Sequence, residues 1–270
     1  MEQKEIRIDN KKIFYRLIGE GRIVVLLHGF GEDGNIWKEQ WKAIKGYRYI
    51  IPDLPGSGKS EMINDMSMEG LAVCVQTILG IETVSKCIMI GHSMGGYVTL
   101  AFADKFPSML DGFGLVHSSS YADNEEKIDT RKKGIDFINE HGSIAFLKTA
   151  ISKLYGPVTN EKNPDLINEH IESGQSFLKA ALTAYYHSMI KRPDRSSVLK
   201  TTNLPVLFIL GKHDATIPLH DSLQQSHLPM WSYVHILEES GHMGMREEPE
   251  KLNSFITSYI SSIYRPLENE

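Results

Sequence analysis

The sequence is poor in cysteine, has no long hydrophobic run and carries no excess of positive charge. Its two cysteines, Cys74 and Cys87, both lie in apolar patterns, so they read as small buried thiols rather than a disulfide or a metal pair. No Cys or His cluster has metal-ligand spacing, and neither a metal nor another cofactor is expected. No apolar run approaches the ~20 residues that cross a bilayer, which argues against a membrane partner. A formal net charge of −5 leaves no basic stripe for nucleic acid. The start, Met1-Glu2-Gln3-Lys4-Glu5, alternates charge and runs into the strand-like Ile6-Arg7-Ile8, unlike a signal peptide. The expected compartment is therefore cytoplasmic. Nothing in the sequence sets an oligomeric state.

What is present is an ordinary globular composition over 270 residues, 41% hydrophobic and 23% charged. Short apolar strands alternate with helical stretches, as in βαβ units around a mostly parallel sheet. Ile6–Ile8 and Ile13–Ile18 read as two opening strands joined at the turn pair Asp9-Asn10. Ile23–Leu27, Tyr49–Ile51, Cys87–Ile90, Phe113–Val116 and Val206–Leu210 are continuous apolar runs of the kind buried on both faces. Tyr233–Leu237 would be the eighth strand, with a last helix over Pro249 to Ile263. Met68, Leu71, Ala72, Val75, Ile78 and Leu79 form a helical stripe. From 118 to 202 there is helical pattern without a strand. The division is then a core of 1–117 and 203–270, with an inserted helical cap of about four helices over 118–202. In the cap's charged run, Lys127, Arg131, Lys132 and Lys133 alternate with acidic residues and read as a solvated helix face.

Gly91-His92-Ser93-Met94-Gly95 has the spacing G-x-S-x-G directly after an apolar strand and directly before a helical pattern. This is the arrangement of a nucleophile elbow, a turn so tight that the positions two before and two after the serine must be small. An isolated match could be a helix N-cap; the strand and helix around it favour a nucleophile. A serine hydroxyl needs a base, and the base needs an orienting acid. Asp214, just past the end of Val206–Leu210, is the candidate acid, with Asp221 as rival. His242 lies between glycines after the eighth strand and is the candidate base. His28 reads as a brace for the loop after the third strand, His92 as packing inside the elbow, and His213 as pointing away. An oxyanion would need two converging N–H donors. Met94 supplies one, and Phe30, in the loop His28-Gly29-Phe30-Gly31, the other. Gly29, Trp37, His117, Tyr185 and Met243 are candidate substrate contacts, with Tyr186 an alternative to Tyr185. Gly58-Lys59-Ser60 suggests a phosphate loop, but that motif needs glycine where the chain has Asp53.

The blocks His28-Gly29-Phe30, Asp53 to Ser60, Gly91 to Gly96, Gly211 to Pro218 and Ser240 to His242 occur in an order that resembles the α/β-hydrolase superfamily over essentially the full chain. The resemblance implies an eight-stranded, mostly parallel α/β sheet flanked by helices, with a helical cap after the sixth strand. Within the superfamily the chain is similar to the serine esterase, perhydrolase and carbon–carbon-bond hydrolase branch. Haloalkane dehalogenases and epoxide hydrolases have aspartate where this chain has Ser93. The resulting expectation is a serine hydrolase acting on small carboxylic esters through an acyl-enzyme. Carbon–carbon, thioester or amide hydrolysis and perhydrolysis use the same triad. A small-molecule receptor with little turnover is the reading from another class.

Overall fold

The computed structural model describes residues 1–264. Its sheet is built from β1 (Glu2–Ile8), β2 (Lys11–Ile18), β3 (Arg22–Leu27), β4 (Tyr47–Pro52), β5 (Cys87–His92), β6 (Leu110–Val116), β7 (Pro205–Gly211) and β8 (Trp231–Leu237). They lie in the order β1-β2-β4-β3-β5-β6-β7-β8. The β1–β2 and β2–β4 pairs are antiparallel and every later pair is parallel. Asp9 and Asn10 both have positive φ, at 52° and 62°. That is the conformation a two-residue hairpin with right-handed twist requires, and Asp and Asn tolerate it.

The inner strands read as unbroken apolar runs because helices cover both faces. Successive side chains of a strand point to opposite faces. Val25 and Leu27 of β3 and Phe208 and Leu210 of β7 join the core under α2 (Met68–Ile81) and α3 (Met94–Lys105). Val24 and Leu26, with Leu207 and Ile209, join the opposite core under α1 (Lys38–Ala43) and α11 (Pro249–Ile263). The stripe predicted over Met68 to Leu79 is the buried face of α2, which Ser67 caps by accepting the Gly70 N–H at 3.0 Å.

Between β6 and β7 the chain is helical. It contains α4 (Glu125–Ser152), α5 (Pro157–Lys162), α6 (Pro164–Ser173), α7 (Lys179–Lys191) and α8 (Ser196–Thr201), five helices where about four were expected. Gly142, at φ 86° and ψ 168°, breaks α4 into two pieces. Pro157 and Pro164 open α5 and α6 at the first turn, where a missing N–H costs nothing. The charged run at the start of α4 is not wholly a solvated face. Arg131 turns inward, and its Nε donates to buried Asp123 at 2.5 Å, where Arg192 also pairs at 2.9 Å. Sequence alternation could not show this, because Arg192 lies beyond the end of α7. The helical segment is pinned to the core by the Tyr185 hydroxyl, which donates to Pro55 O at 2.5 Å. Ser188 Oγ adds a bond to Met66 O at 2.5 Å. Among the described residues, no helix is long and apolar enough to cross a membrane.

Candidate active site

Ser93 stands between β5 and α3 with φ 49° and ψ −115°, a conformation rare for a residue with a Cβ. The turn is closed by its neighbours. A Cβ on Gly91 would lie 2.2 Å from Gly95 O, and one on Gly95 would lie 2.4 Å from Leu27 O. Only glycine fits at either position, the reason the G-x-S-x-G spacing exists. Ser93 N–H donates to Val116 O at 2.9 Å, tying the elbow to β6. Among the described residues, Ser93 Oγ and the N–H groups of Met94 and Phe30 have no hydrogen-bond partner. Met94 opens α3, where backbone donors have no intrahelical acceptor and the helix dipole favours negative charge.

Asp214 and His242 are brought together. Asp214 Oδ2 accepts from His242 Nδ1 at 2.8 Å, and both residues are buried. Oδ1 accepts the N–H groups of Thr216 and Ile217 at 2.9 and 2.8 Å, fixing the carboxylate plane. Burial alone would raise the Asp214 carboxyl; His242 and His117 overcome it and hold the group well below the usual range. Burial lowers His242, but the Asp214 charge outweighs it and the net direction is upward. Asp221, the rival acid, lies in the first turn of α9 (Leu219–Ser226).

His117 departs from its expected role as a pocket wall. It is 1% exposed, and its Nδ1 donates to Asp214 Oδ2 at 3.2 Å while Nε2 accepts the Gly244 N–H at 3.2 Å. These partners fix a neutral tautomer, and burial, against the pull of Asp214, holds the ring at about 4. Its φ of 49° at the end of β6 matches the strained angle of Ser93 at the end of β5. His117, Asp214 and His242 place three ligand-type atoms within 4.8 Å of one another, a spacing that a metal ion could bridge. Those atoms are engaged in the hydrogen bonds just described.

Other expected contacts are also placed differently. Trp37 is fully enclosed in the core that also holds Met243 and Met245, so it walls no open pocket. Met243 is 0% exposed, and its N–H donates to Glu247. The Tyr185 hydroxyl is committed to Pro55 and Ser57, whereas Tyr186 stacks on Phe30 with centroids 4.5 Å apart. Gly29 N–H donates to Glu32 Oε2 at 2.7 Å. His28 braces the same loop, its Nδ1 donating to Gly29 O and its Nε2 accepting Leu54 N–H, both at 2.8 Å. Asp53 accepts from Arg16, Gly34 and Lys59, organising the turn after β4 without a phosphate cradle. His213 is exposed.

Sequence reasoning did not single out Glu32 or Glu247. Glu32 Oε2 also meets His92 Nδ1 at 3.0 Å. Burial would raise Glu32, but His92 brings it down to about 2. Glu247 Oε1 accepts the N–H groups of Gly241 and Met243, on either side of His242. Its Oε2 accepts Gly156 N–H and the Thr159 hydroxyl. No local motif marks either residue.

Residues 22–137 match a family model described as alpha/beta hydrolase fold. The chain is 25% identical to the 2-hydroxy-6-oxo-6-phenylhexa-2,4-dienoate hydrolase of Comamonas testosteroni, over 92% of this chain and 91% of that one. A malate-bound structure of a thermophilic esterase from Thermogutta terrifontis superposes with a TM-score of 0.91 at 25% identity, covering 98% of this chain and 100% of that chain. The enol-lactonase of Burkholderia xenovorans LB400 shares the fold at a TM-score of 0.88 and 17% identity, covering 96% and 100%.

Proposed function

This chain has the α/β-hydrolase fold, and on that premise we propose a serine hydrolase that cleaves small carboxylic esters through an acyl-enzyme. The observation that carries the reading is the buried Asp214–His242 bond of 2.8 Å, taken together with an elbow serine at φ 49°. Ser93 Oγ attacks the carbonyl carbon while His242 Nε2 takes its proton. Asp214 holds the Nδ1–H tautomer and stabilises the imidazolium that forms. The oxyanion is received by the N–H groups of Phe30 and Met94, which are free among the described residues to turn to it. His242 then protonates the leaving alkoxide and activates the water that releases the acid. Residues 118–202 act as a cap over this site. The Tyr186–Phe30 stack supports this role, as does the close approach of Leu147 to Gly31 in the oxyanion loop. The two buried free thiols, Cys74 and Cys87, fit a cytoplasmic setting.

The esterase among the structural neighbours favours ester cleavage. The dienoate hydrolase, similar over 92% of the chain, favours carbon–carbon cleavage as the second reading. A fluorophosphonate probe and p-nitrophenyl acetate and butyrate test the first. Ser93→Ala should abolish labelling and lower kcat by on the order of 10³ to 10⁶. Unchanged turnover in that variant would overturn the assignment. Unlabelled wild-type protein without ester turnover would point instead to a receptor on the same fold.

A further inference from the structure

We propose that Glu32 and His92 form a buried positioning unit that holds the oxyanion loop, the nucleophile elbow and the loop of the general base in register. The proposal rests on the serine-hydrolase reading above. Three bonds carry it: Gly29 N–H to Glu32 Oε2 at 2.7 Å, His92 Nδ1 to the same oxygen at 3.0 Å, and His92 Nε2 to the main-chain oxygen of His242 at 3.0 Å. Each end lies one residue or less from a reacting group. Gly29 precedes Phe30, His92 precedes Ser93, and the last acceptor belongs to His242 itself.

The hydrogen-bond logic is one-directional. A main-chain carbonyl only accepts, so His92 Nε2 carries a hydrogen. Glu32 is held as a carboxylate, whose oxygens only accept, so Nδ1 donates to the same Oε2 that accepts from Gly29. Glu32 is 4% and His92 1% exposed. A buried ion pair is a poor source of stability, because desolvation offsets the attraction and apolar residues of similar volume often serve as well. Its value here lies in direction. Two planar groups aim three separate chain segments at one another, and errors of 1 Å in such placement slow catalysis steeply. The His92 and His242 rings lie 4.9 Å apart between centroids.

The pair also acts on the base through charge. The groups around it are His170 on α6, Arg246 and Glu247 on α10 (Gly244–Glu247), and Asp214 and His117 behind His242. Among them, Glu32 favours the protonated form of His242. In Glu32→Gln the amide oxygen can keep the Gly29 N–H, but a neutral His92, holding its hydrogen on Nε2 for His242 O, then faces that same oxygen with a bare Nδ1 and loses its bond. Glu32→Ala breaks both bonds to residue 32.

The test uses kcat per site titrated with the fluorophosphonate probe, so misfolded protein does not count. Glu32→Ala should lower kcat per site by roughly 10- to 100-fold, with KM within about twofold if the group only positions. Glu32→Gln, which keeps the Gly29 bond and loses the His92 bond, should lie between Glu32→Ala and wild type in kcat per site. A Glu32→Ala rate per site within twofold of wild type overturns the proposal and leaves the serine-hydrolase reading standing. If Glu32→Ala does not fold, a Glu32→Gln rate per site within twofold of wild type overturns it. Wild-type protein that is not labelled at Ser93 defeats the parent reading, a separate outcome from either.

Discussion

Asp214→Asn is a sharp perturbation, because the carboxylate serves two imidazoles and two backbone donors at once. Its Oδ1 accepts from Thr216 and Ile217 N–H, and its Oδ2 from His242 Nδ1 and His117 Nδ1. The asparagine oxygen must stay with the two backbone donors, since an NH₂ group there would oppose both. The NH₂ then faces the two rings, and each must present a bare Nδ1. His242 moves its hydrogen to Nε2 and could not take a proton from Ser93 in the proposed reaction. His117 does the same and turns Nε2–H against Gly244 N–H, which it now accepts at 3.2 Å. Loss of the correct tautomer costs about 10³- to 10⁴-fold in kcat, or roughly 4–5 kcal/mol. The buried donor–donor opposition costs about 1–3 kcal/mol of stability, a fall in Tm of roughly 2–10 °C for a chain of this size. The assay is kcat with p-nitrophenyl butyrate beside a melting curve, with Asp221→Asn as control. An Asp214→Asn enzyme within tenfold of wild type would refute the reasoning. Loss of turnover in Asp221→Asn alone would move the acid to α9.

Three further outcomes follow from the same geometry. Burial lowers His242 but Asp214 outweighs it, and the proposed base works in its neutral form, so kcat/KM should rise with pH through a midpoint above about 6.5, the ordinary histidine value; a midpoint below 6 would contradict this. Burial holds His117 and His170 at about 4, so between the unfolded value near 6.5 and that point the unfolded chain binds more protons. The contribution of these two rings should then be full above about pH 6.5 and fall toward pH 4, by on the order of 3 kcal/mol for each ring; a urea midpoint unchanged between pH 7 and 4.5 would speak against it. Gly95→Ala would place a Cβ 2.4 Å from Leu27 O and 2.6 Å from His28 O, displacing the oxyanion loop; kcat should fall about tenfold or more, and an unaffected rate would show that the elbow relaxes freely.

The sheet is legible in the sequence because its inner strands are covered on both faces, which forces runs such as Ile23–Leu27. The helix over Pro249 to Ile263 carries a start signal and a clean stripe, and α11 has those bounds. β1 is longer than the reading of Ile6–Ile8 because it lies at the sheet edge, where Glu2 to Glu5 pair without needing apolar side chains. The helix count between β6 and β7 was harder, since α5 and α8 have six residues each and supply little periodicity. Around the site, Ser93, Asp214 and His242 were suggested by strand ends and glycine spacing. Tyr185 and Tyr186 are about 100° apart on a helix, so which one meets Phe30 depends on a phase that sequence does not fix. Glu32 and Glu247 act across 60 and 91 positions of chain, to His92 and Gly156, and no local pattern can signal such partners.

The contacts of Glu247 bear on how the helical segment and the base loop move. One carboxylate grips Gly241 and Met243 on one side and Gly156 and Thr159 on the other. His242 N–H adds a bond to Leu154 O at 2.6 Å. The His242 loop is therefore fastened to residues 154–159 through Glu247 and Leu154 O. Elsewhere the segment meets the core through side chains such as Tyr185 and Ser188, which pivot without dragging a backbone. A displacement of α7 can leave the base in place, but a displacement at 154–159 cannot. If the segment is the cap of a serine hydrolase, substitutions on α7 should alter KM, whereas substitutions at 154–159 should alter kcat as well, because they move the group that takes the proton.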